Sequence, residues 1–130
     1  MRVLDLSVTD APGALSDVRH ALSRLVGESA DGWVLDSALL VVSELVTNAN
    51  RYGGDGRCQV RVVLEHGRFR IEVIDSSPVR PADVLAPAGA DAEGGRGLLV
   101  VNALARRWGS GPHRLGKCVW AELPAPTRNP

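Results

Sequence analysis

Three short stretches of this chain contain residues that could bind a charged ligand. Glu44 and Asn48 are four positions apart on a predicted helix, so their side chains share one face of it. Asp75 ends a predicted strand, and the sequence GGRGL at residues 94–98 opens another predicted helix. Carboxylate and amide oxygens suit hard cations, and helix N-termini that follow glycines bind phosphate well. These residue types suit a ligand that carries phosphate, although each also has an ordinary structural interpretation.

The ordinary interpretation of Glu44 and Asn48 is a solvated helix face. Spacing alone slightly favours it, because glutamate on a helix is usually exposed. Two observations argue for burial: Leu40 and Val41 flank the same face, and asparagine has a poor propensity for helix interiors. Both interpretations stay open at this level.

Asp75 has the same parity as the apolar residues Phe69, Ile71 and Val73, so it ends its strand on the apolar side. A buried carboxylate there needs a partner, such as an amine on a ligand. The alternative is an ordinary turn, because Asp-Ser-Ser-Pro is a good turn opener.

The GGRGL sequence is weak evidence by itself, since a glycine-rich loop end is usually a hinge or a tight turn. It matches neither the P-loop pattern nor a dinucleotide fingerprint. The histidines His20, His66 and His113 have no spacing typical of metal ligands, and we interpret them as surface residues. A nucleophilic serine of the G-x-S-x-G type is absent from the sequence.

The hydrophobic pattern predicts alternating strands and amphipathic helices. In chain order these are a strand at 2–9, a helix from Pro12 to near Gly27, a second helix that Asp31 caps and Gly53-Gly54 ends, a hairpin of strands 58–64 and 69–75, a loop at 76–96, a helix at 98–106, and a last strand at 118–123 after a glycine-bounded turn. Helices clustered on one face of a mixed or mostly antiparallel sheet make an α+β fold, a two-layer α/β sandwich.

Composition limits the other possibilities. The 130 residues, 45% of them hydrophobic, suffice for one core, so we expect a single domain over residues 1–130. The 15 basic and 15 acidic residues are mixed along the chain and form no basic stripe for nucleic acid or membrane. Cys58 and Cys118 are far apart, and the N-terminus lacks the apolar run of a signal peptide. We therefore expect a cytoplasmic protein without disulfides.

The order of the motifs is more specific than any one of them. SELVTNANRYGG at residues 43–54, then Asp75, a long loop, GGRGL and GKCVWAEL at 116–123 resembles the GHKL (Bergerat-fold) ATPases, and within them the anti-sigma-factor serine/threonine kinases. The resemblance extends from the first helix to the last strand. It implies a Bergerat-type ATP-binding fold in which residues 76–96 form the ATP lid.

The resemblance also implies ATP and Mg²⁺ as ligands and gives the residues roles. Glu44 would act as the general base, Asn48 would bind Mg²⁺, and Asp75 would accept a hydrogen bond from the adenine amine. The remaining nucleotide-binding residues would be Arg51, Tyr52, Gly95, Arg96, Gly97, Leu98 and Cys118, with the glycines and the Leu98 amide around the phosphates.

Three positions depart from the family pattern. Tyr52 stands where the family usually has histidine, and Asp75 is followed by Ser-Ser-Pro where many members have D-x-G-x-G. Cys118 stands where threonine usually follows G-K, and a thiol is a much weaker hydrogen-bonding group than a hydroxyl.

The function implied by the resemblance is phosphorylation of a serine on a small anti-anti-sigma (STAS-type) protein. Such a kinase sequesters a sigma factor through another surface, and its relatives often form homodimers. The alternative is a partner-switching module that holds nucleotide, or none, without transferring phosphate. A detached catalytic domain of a histidine kinase is less favoured, because His20 lies in a short core-facing helix rather than in a dimerisation hairpin.

Overall fold

The computed structural model describes residues 1–9, 11–27, 32–52, 56–65, 67–76 and 99–124. In chain order they form strand β1 (Arg2–Thr9), helices α1 (Ala14–Val26) and α2 (Gly32–Tyr52), and strands β2 (Arg57–Glu65), β3 (Arg68–Asp75), β4 (Arg107–His113) and β5 (Gly116–Leu123). Residues 99–104 are also helical. The predicted opening strand, the two long helices and the hairpin are confirmed. The expected cap Asp31 and stop Gly53-Gly54 lie outside the described residues.

The five described strands form one sheet in the order β1-β2-β3-β5-β4. Every pairing between them is antiparallel, so the parallel component that a mixed sheet would need is not found in this part of the chain. β5, the last strand in sequence, lies beside β3, with Phe69 opposite Leu123 and Asp75 opposite Lys117. The end of β3 therefore meets the beginning of β5 at one end of the sheet.

The helices cover one face of this sheet, which is called the inner face below. Alternate strand residues point into it and pack against α1 and α2 in a single core, as the period-2 pattern predicts. The buried strand residues of this core are Val8, Cys58, Val60, Val62, Phe69, Ile71, Val73, Val119, Ala121 and Leu123. The two-layer α+β sandwich expected from the sequence is confirmed. Within the described ranges, no helix is both long and apolar enough to cross a bilayer.

Helix α1 ends where the sequence predicts. Gly27 has φ 80° and its N–H donates to the Ser23 carbonyl at 2.9 Å. A residue in this left-handed region costs little when it is glycine, which makes it a common helix stop.

The sequence did not predict strand β4, because its residues RWGSGPH are poor strand formers. These residues can form a strand because β4 lies at the edge of the sheet, where Pro112 and two glycines disturb the fewest interstrand hydrogen bonds. Trp120 of β5 is the cross-strand partner of Gly109, and a Cβ there would lie 2.9 Å from the indole ring. The indole therefore packs directly on the glycine and fills the gap.

The helix predicted at residues 98–106 extends beyond the C-terminal end of the observed helix. The described part is helical at 99–104, and Ala105 still donates its N–H to the Val101 carbonyl. The Arg106 N–H instead donates to the Glu122 carbonyl at 2.8 Å. Arg106 thus already belongs to the sheet, which ends the helix.

Glu122 ties three strands together on the outer face. Its carboxylate lies 3.1 Å from Arg107 of β4 and 3.3 Å from both Arg68 and Arg70 of β3. Arg70 also stacks 4.4 Å from the centre of the Trp120 ring. Hydrogen bonds from Arg107, more than any other contact, lower the pKa of Glu122 from its usual 4.5.

We predict that Glu122→Gln destabilises the fold at neutral pH and much less in acid. Because the folded-state pKa is lowered, the stabilisation is present above the unfolded-state pKa and is lost as the pH falls through the folded value. Urea unfolding at pH 7 and at about pH 3 measures this. Glu65→Gln, which changes an exposed carboxylate at the same end of the sheet, is the control. A stability difference that stays constant between the two pH values would contradict the role of the carboxylate charge.

We also predict that Gly116→Ala lowers the free energy of unfolding by about 2 kcal/mol or more. Gly116 has φ 146°, and a Cβ there would lie 2.2 Å from the Asp75 carbonyl oxygen. Gly111→Ala in the neighbouring strand is the control, because a Cβ there meets nothing within 4 Å and φ is unstrained. Chemical denaturation checks both variants. Equal stability of the two would show that the close approach at Gly116 does not constrain the fold.

Candidate functional site

A carboxylate and an ammonium group are buried side by side on the inner face. Asp75 ends β3 and Lys117 is the second residue of β5, and the two are cross-strand partners. The Lys117 Nζ lies 3.3 Å from the Asp75 Oδ2, and the two side chains are only 2% and 1% exposed. The parity argument for Asp75 is confirmed: the carboxylate points to the apolar side and has a cationic partner there.

Gly116 makes this pairing possible. Its hypothetical Cβ would also lie 2.6 Å from the Cα of Ser76, so β3 and the β4–β5 turn touch backbone to backbone. A side chain at this position would push the strands apart where Asp75 and Lys117 meet.

Helix α2 covers the strands that carry this pair. It packs on β2, β3 and β5, with Val41, Val42 and Leu45 fully buried against the sheet. Asn48, one turn further along, is only 8% exposed, and Glu44 is partly buried. The solvated face that spacing alone favoured is therefore wrong for Asn48. The Val41 side of the helix is buried, and Asn48 continues it.

The buried polar side chains of α2, β3 and β5 are thus of complementary kinds. Asp75 offers acceptor oxygens, Lys117 offers donors, and Asn48 offers both an acceptor and a donor, while Glu44 stays partly accessible to solvent. Buried polar groups are costly unless they make hydrogen bonds or ion pairs. A polar ligand that pairs with them is a direct physical reason for placing them there.

Cys118 is not brought together with these residues. It lies next to Lys117 and therefore points to the outer face, opposite Ile74 on β3. Burial, and then the nearby Glu72 carboxylate, raise the pKa of the Cys118 thiol to about 11, so it is protonated at neutral pH. This placement argues against the base contact expected for Cys118 and leaves Lys117 as the inner-face residue at that end of β5.

Several predicted site residues lie outside the described part of the chain. These are Gly94, Gly95, Arg96, Gly97 and Leu98, most of the predicted lid at 76–96, and the side chains of Arg51 and Tyr52. Their roles stay predictions.

Lys117 is the site residue that sequence reasoning missed. The last strand was predicted to begin at Cys118, which left Lys117 in the turn. One signal was available: residue 117 has the same parity as Val119, Ala121 and Leu123, so extending the strand by one residue places a lysine on the apolar side.

The described residues contain no group of three or more His, Cys, Asp or Glu side chains that could hold a metal ion. The oxygen donors of Asn48 and Glu44 nevertheless suit Mg²⁺, which usually binds one or two protein ligands together with substrate phosphates and water. The donor set therefore fits a metal that arrives with a nucleotide.

We predict strong energetic coupling between Asp75 and Lys117. Asp75→Asn or Lys117→Met alone removes the opposite charge beside a buried charge and costs about 3–5 kcal/mol of unfolding free energy. The double variant removes both charges and should cost much less than the sum of the single changes. Urea unfolding of the four proteins measures the coupling. Additive losses would show that the two charges do not stabilise each other.

Comparison with known proteins agrees with this geometry. The sequence profile of the histidine kinase-like ATPase domain matches residues 8–123, from the last two residues of β1 to the end of β5. An uncharacterized protein of Streptomyces coelicolor is 37% identical over an alignment of 82 residues that covers 59% of this chain and 78% of that protein. The profile match extends over both strands of the buried ion pair and over α2, and the chain belongs to the histidine kinase-like ATPase domain family.

Proposed function

We propose that this domain binds ATP with Mg²⁺ and transfers the γ-phosphoryl group to a serine of a small anti-anti-sigma (STAS-type) protein. The observation that carries the proposal is that Asn48 on α2 and Asp75 at the end of β3, a strand on which α2 packs, are both buried. Both residues match the motif order of the anti-sigma-factor kinases, and both are polar side chains buried within a largely apolar core. Membership in the ATPase family supports the nucleotide, and the motif resemblance supports the protein substrate.

In this proposal the base of the nucleotide enters near the end of β3. The Asp75 carboxylate, on the inner face, accepts a hydrogen bond from the adenine amine. Its burial makes this contact selective, because a buried acceptor tolerates poorly a base that offers no donor.

Helix α2 supplies the polar groups for the phosphates. Asn48 binds Mg²⁺ through its amide oxygen, and the ion neutralises phosphate charge when it is bound. Glu44 lies one turn before Asn48 and is more exposed, which suits a group that must meet a hydroxyl arriving from another protein. It orients that hydroxyl and accepts its proton as the phosphoryl group moves.

The regulatory part of the proposal follows from the resemblance. A cytoplasmic kinase of this kind, acting as a homodimer, holds a sigma factor until its unphosphorylated STAS-type partner competes for it. Phosphorylation of that partner ends the competition and returns the kinase to the state that holds the sigma factor.

The decisive experiment separates ATP binding from phosphoryl transfer. Binding is measured by calorimetry, and transfer by γ-labelled ATP with STAS-type proteins that co-purify with the chain. We predict that Asn48→Ala weakens Mg·ATP binding by about tenfold or more. Glu44→Ala should keep binding and lower transfer by about 10²–10⁴-fold, the usual contribution of a general base.

Thr47→Ala is the matched control, because Thr47 is exposed on the same helix between the two site residues. Replacing the target serine of the partner by alanine should abolish labelling. ATP binding without labelling of any partner would overturn the kinase and leave the nucleotide-holding switch module. Absence of ATP binding would overturn both.

A further inference from the structure

Lys117 is unusual in both the sequence and the structure. The chain has 15 basic residues, and Lys117 is the one lysine among them. The residue is only 1% exposed, whereas arginines such as Arg68 and Arg107 keep about half or more of their side chains in solvent. The one lysine is thus fully buried beside the residue proposed to read the base.

The described surroundings of Lys117 leave most of its hydrogen-bonding capacity unused. An ammonium group has three donors, and among the described side chains Nζ has one close ionic contact, with Asp75 Oδ2 at 3.3 Å. Within the described residues, Nζ makes no hydrogen bond of acceptable geometry. It is therefore a buried cation with donors left over.

Stability alone is a weak explanation for such a group. Replacing a buried ion pair by apolar residues of similar size is often neutral or stabilising. The same strands already carry Val73 and Val119 as a well-packed cross-strand pair one step further along the inner face. A further apolar pair at 75 and 117 would continue the core, so the donor and the acceptor point to a ligand.

We propose that Lys117 is a specificity-determining residue that donates a hydrogen bond to N1 of adenine, beside the amine that Asp75 accepts. This inference rests on the proposed nucleotide site. The Watson–Crick edge of adenine carries a donor at the 6-amino group next to an acceptor at N1. Asp75 and Lys117 present the complementary acceptor and donor next to each other on one face of the sheet.

The same arrangement rejects hypoxanthine and guanine. Their edges carry the reverse order, an acceptor at O6 and a donor at N1. Because the ribose and phosphates fix how the base enters, the order cannot be exchanged by turning the base over. A 6-oxopurine sets O6 against the Asp75 carboxylate and its N1–H against the Lys117 ammonium, which leaves two buried mismatches.

Binding of nucleotide analogues to the unchanged protein tests the contact directly. Calorimetry measures the affinities for ATP, 1-deaza-ATP and ITP. The base of 1-deaza-ATP lacks the N1 acceptor, and the base of ITP carries the acceptor and the donor of its edge in the reverse order. We expect 1-deaza-ATP to bind about tenfold or more weakly than ATP, and ITP about a hundredfold or more weakly. The Lys117→Met variant should bind ATP as weakly as the unchanged protein binds 1-deaza-ATP. The variant should bind 1-deaza-ATP no more weakly than it binds ATP. Arg114→Met, an exposed basic residue in the adjoining turn, should behave as wild type.

A second measurement does not depend on a variant that folds. Because the chain has one lysine, protein grown with ¹³C-labelled lysine gives a single Cε side-chain NMR signal. That signal should shift on addition of ATP and shift much less with saturating 1-deaza-ATP.

The outcomes separate this inference from the proposed function. Equal affinities for ATP and 1-deaza-ATP, with an unmoved lysine signal, would overturn the role of Lys117 and leave ATP binding intact. Tighter ATP binding by Lys117→Met would also overturn it, because the lysine would then compete with the base for Asp75. Failure to bind any of the three nucleotides would overturn the site itself.

Discussion

The buried ion pair between Asp75 and Lys117 is the interaction on which the arrangement of the site depends. Two charges taken out of water are expensive, and their attraction compensates only if the strands hold them in contact. Gly116 allows that contact, because a side chain there would collide with the backbone of β3. Helix α2 packs on β3 and β5, the strands that carry the pair, and buries Asn48.

The charged clusters on the two faces of the sheet differ in their exposure to solvent. On the outer face, Glu122 is largely buried, but its partners Arg68 and Arg107 keep about half or more of their side chains in solvent. The contacts that join β3, β4 and β5 are therefore partly screened. On the inner face, Asp75 and Lys117 are shielded from water, and any ligand group placed beside them interacts strongly. The outer network stabilises the edge strand, whereas the inner pair is suited to recognition.

Most of the fold could be predicted from periodicity, because β1, the hairpin and both long helices bury one regular stripe each. The missed parts have specific causes. Strand β4 lacks strand-forming residues and exists because Trp120 packs over Gly109, a contact between strands that local sequence does not encode. Burial of Asn48 depends on how much of the circumference of α2 is covered by the sheet and the neighbouring elements. The spacing of residues along the helix does not determine that coverage. Lys117 was missed because its partner Asp75 is 42 positions away in sequence, and only the β3–β5 register joins them.

The most direct test of a nucleotide site on the inner face is residue-resolved NMR of the labelled protein during titration with Mg·ATP. A site between α2 and the sheet predicts the largest shifts at Asn48, Asp75 and Lys117, with little change at Cys118 and Trp120 on the outer face. Shifts confined to the outer face, or none at saturating nucleotide, would contradict it.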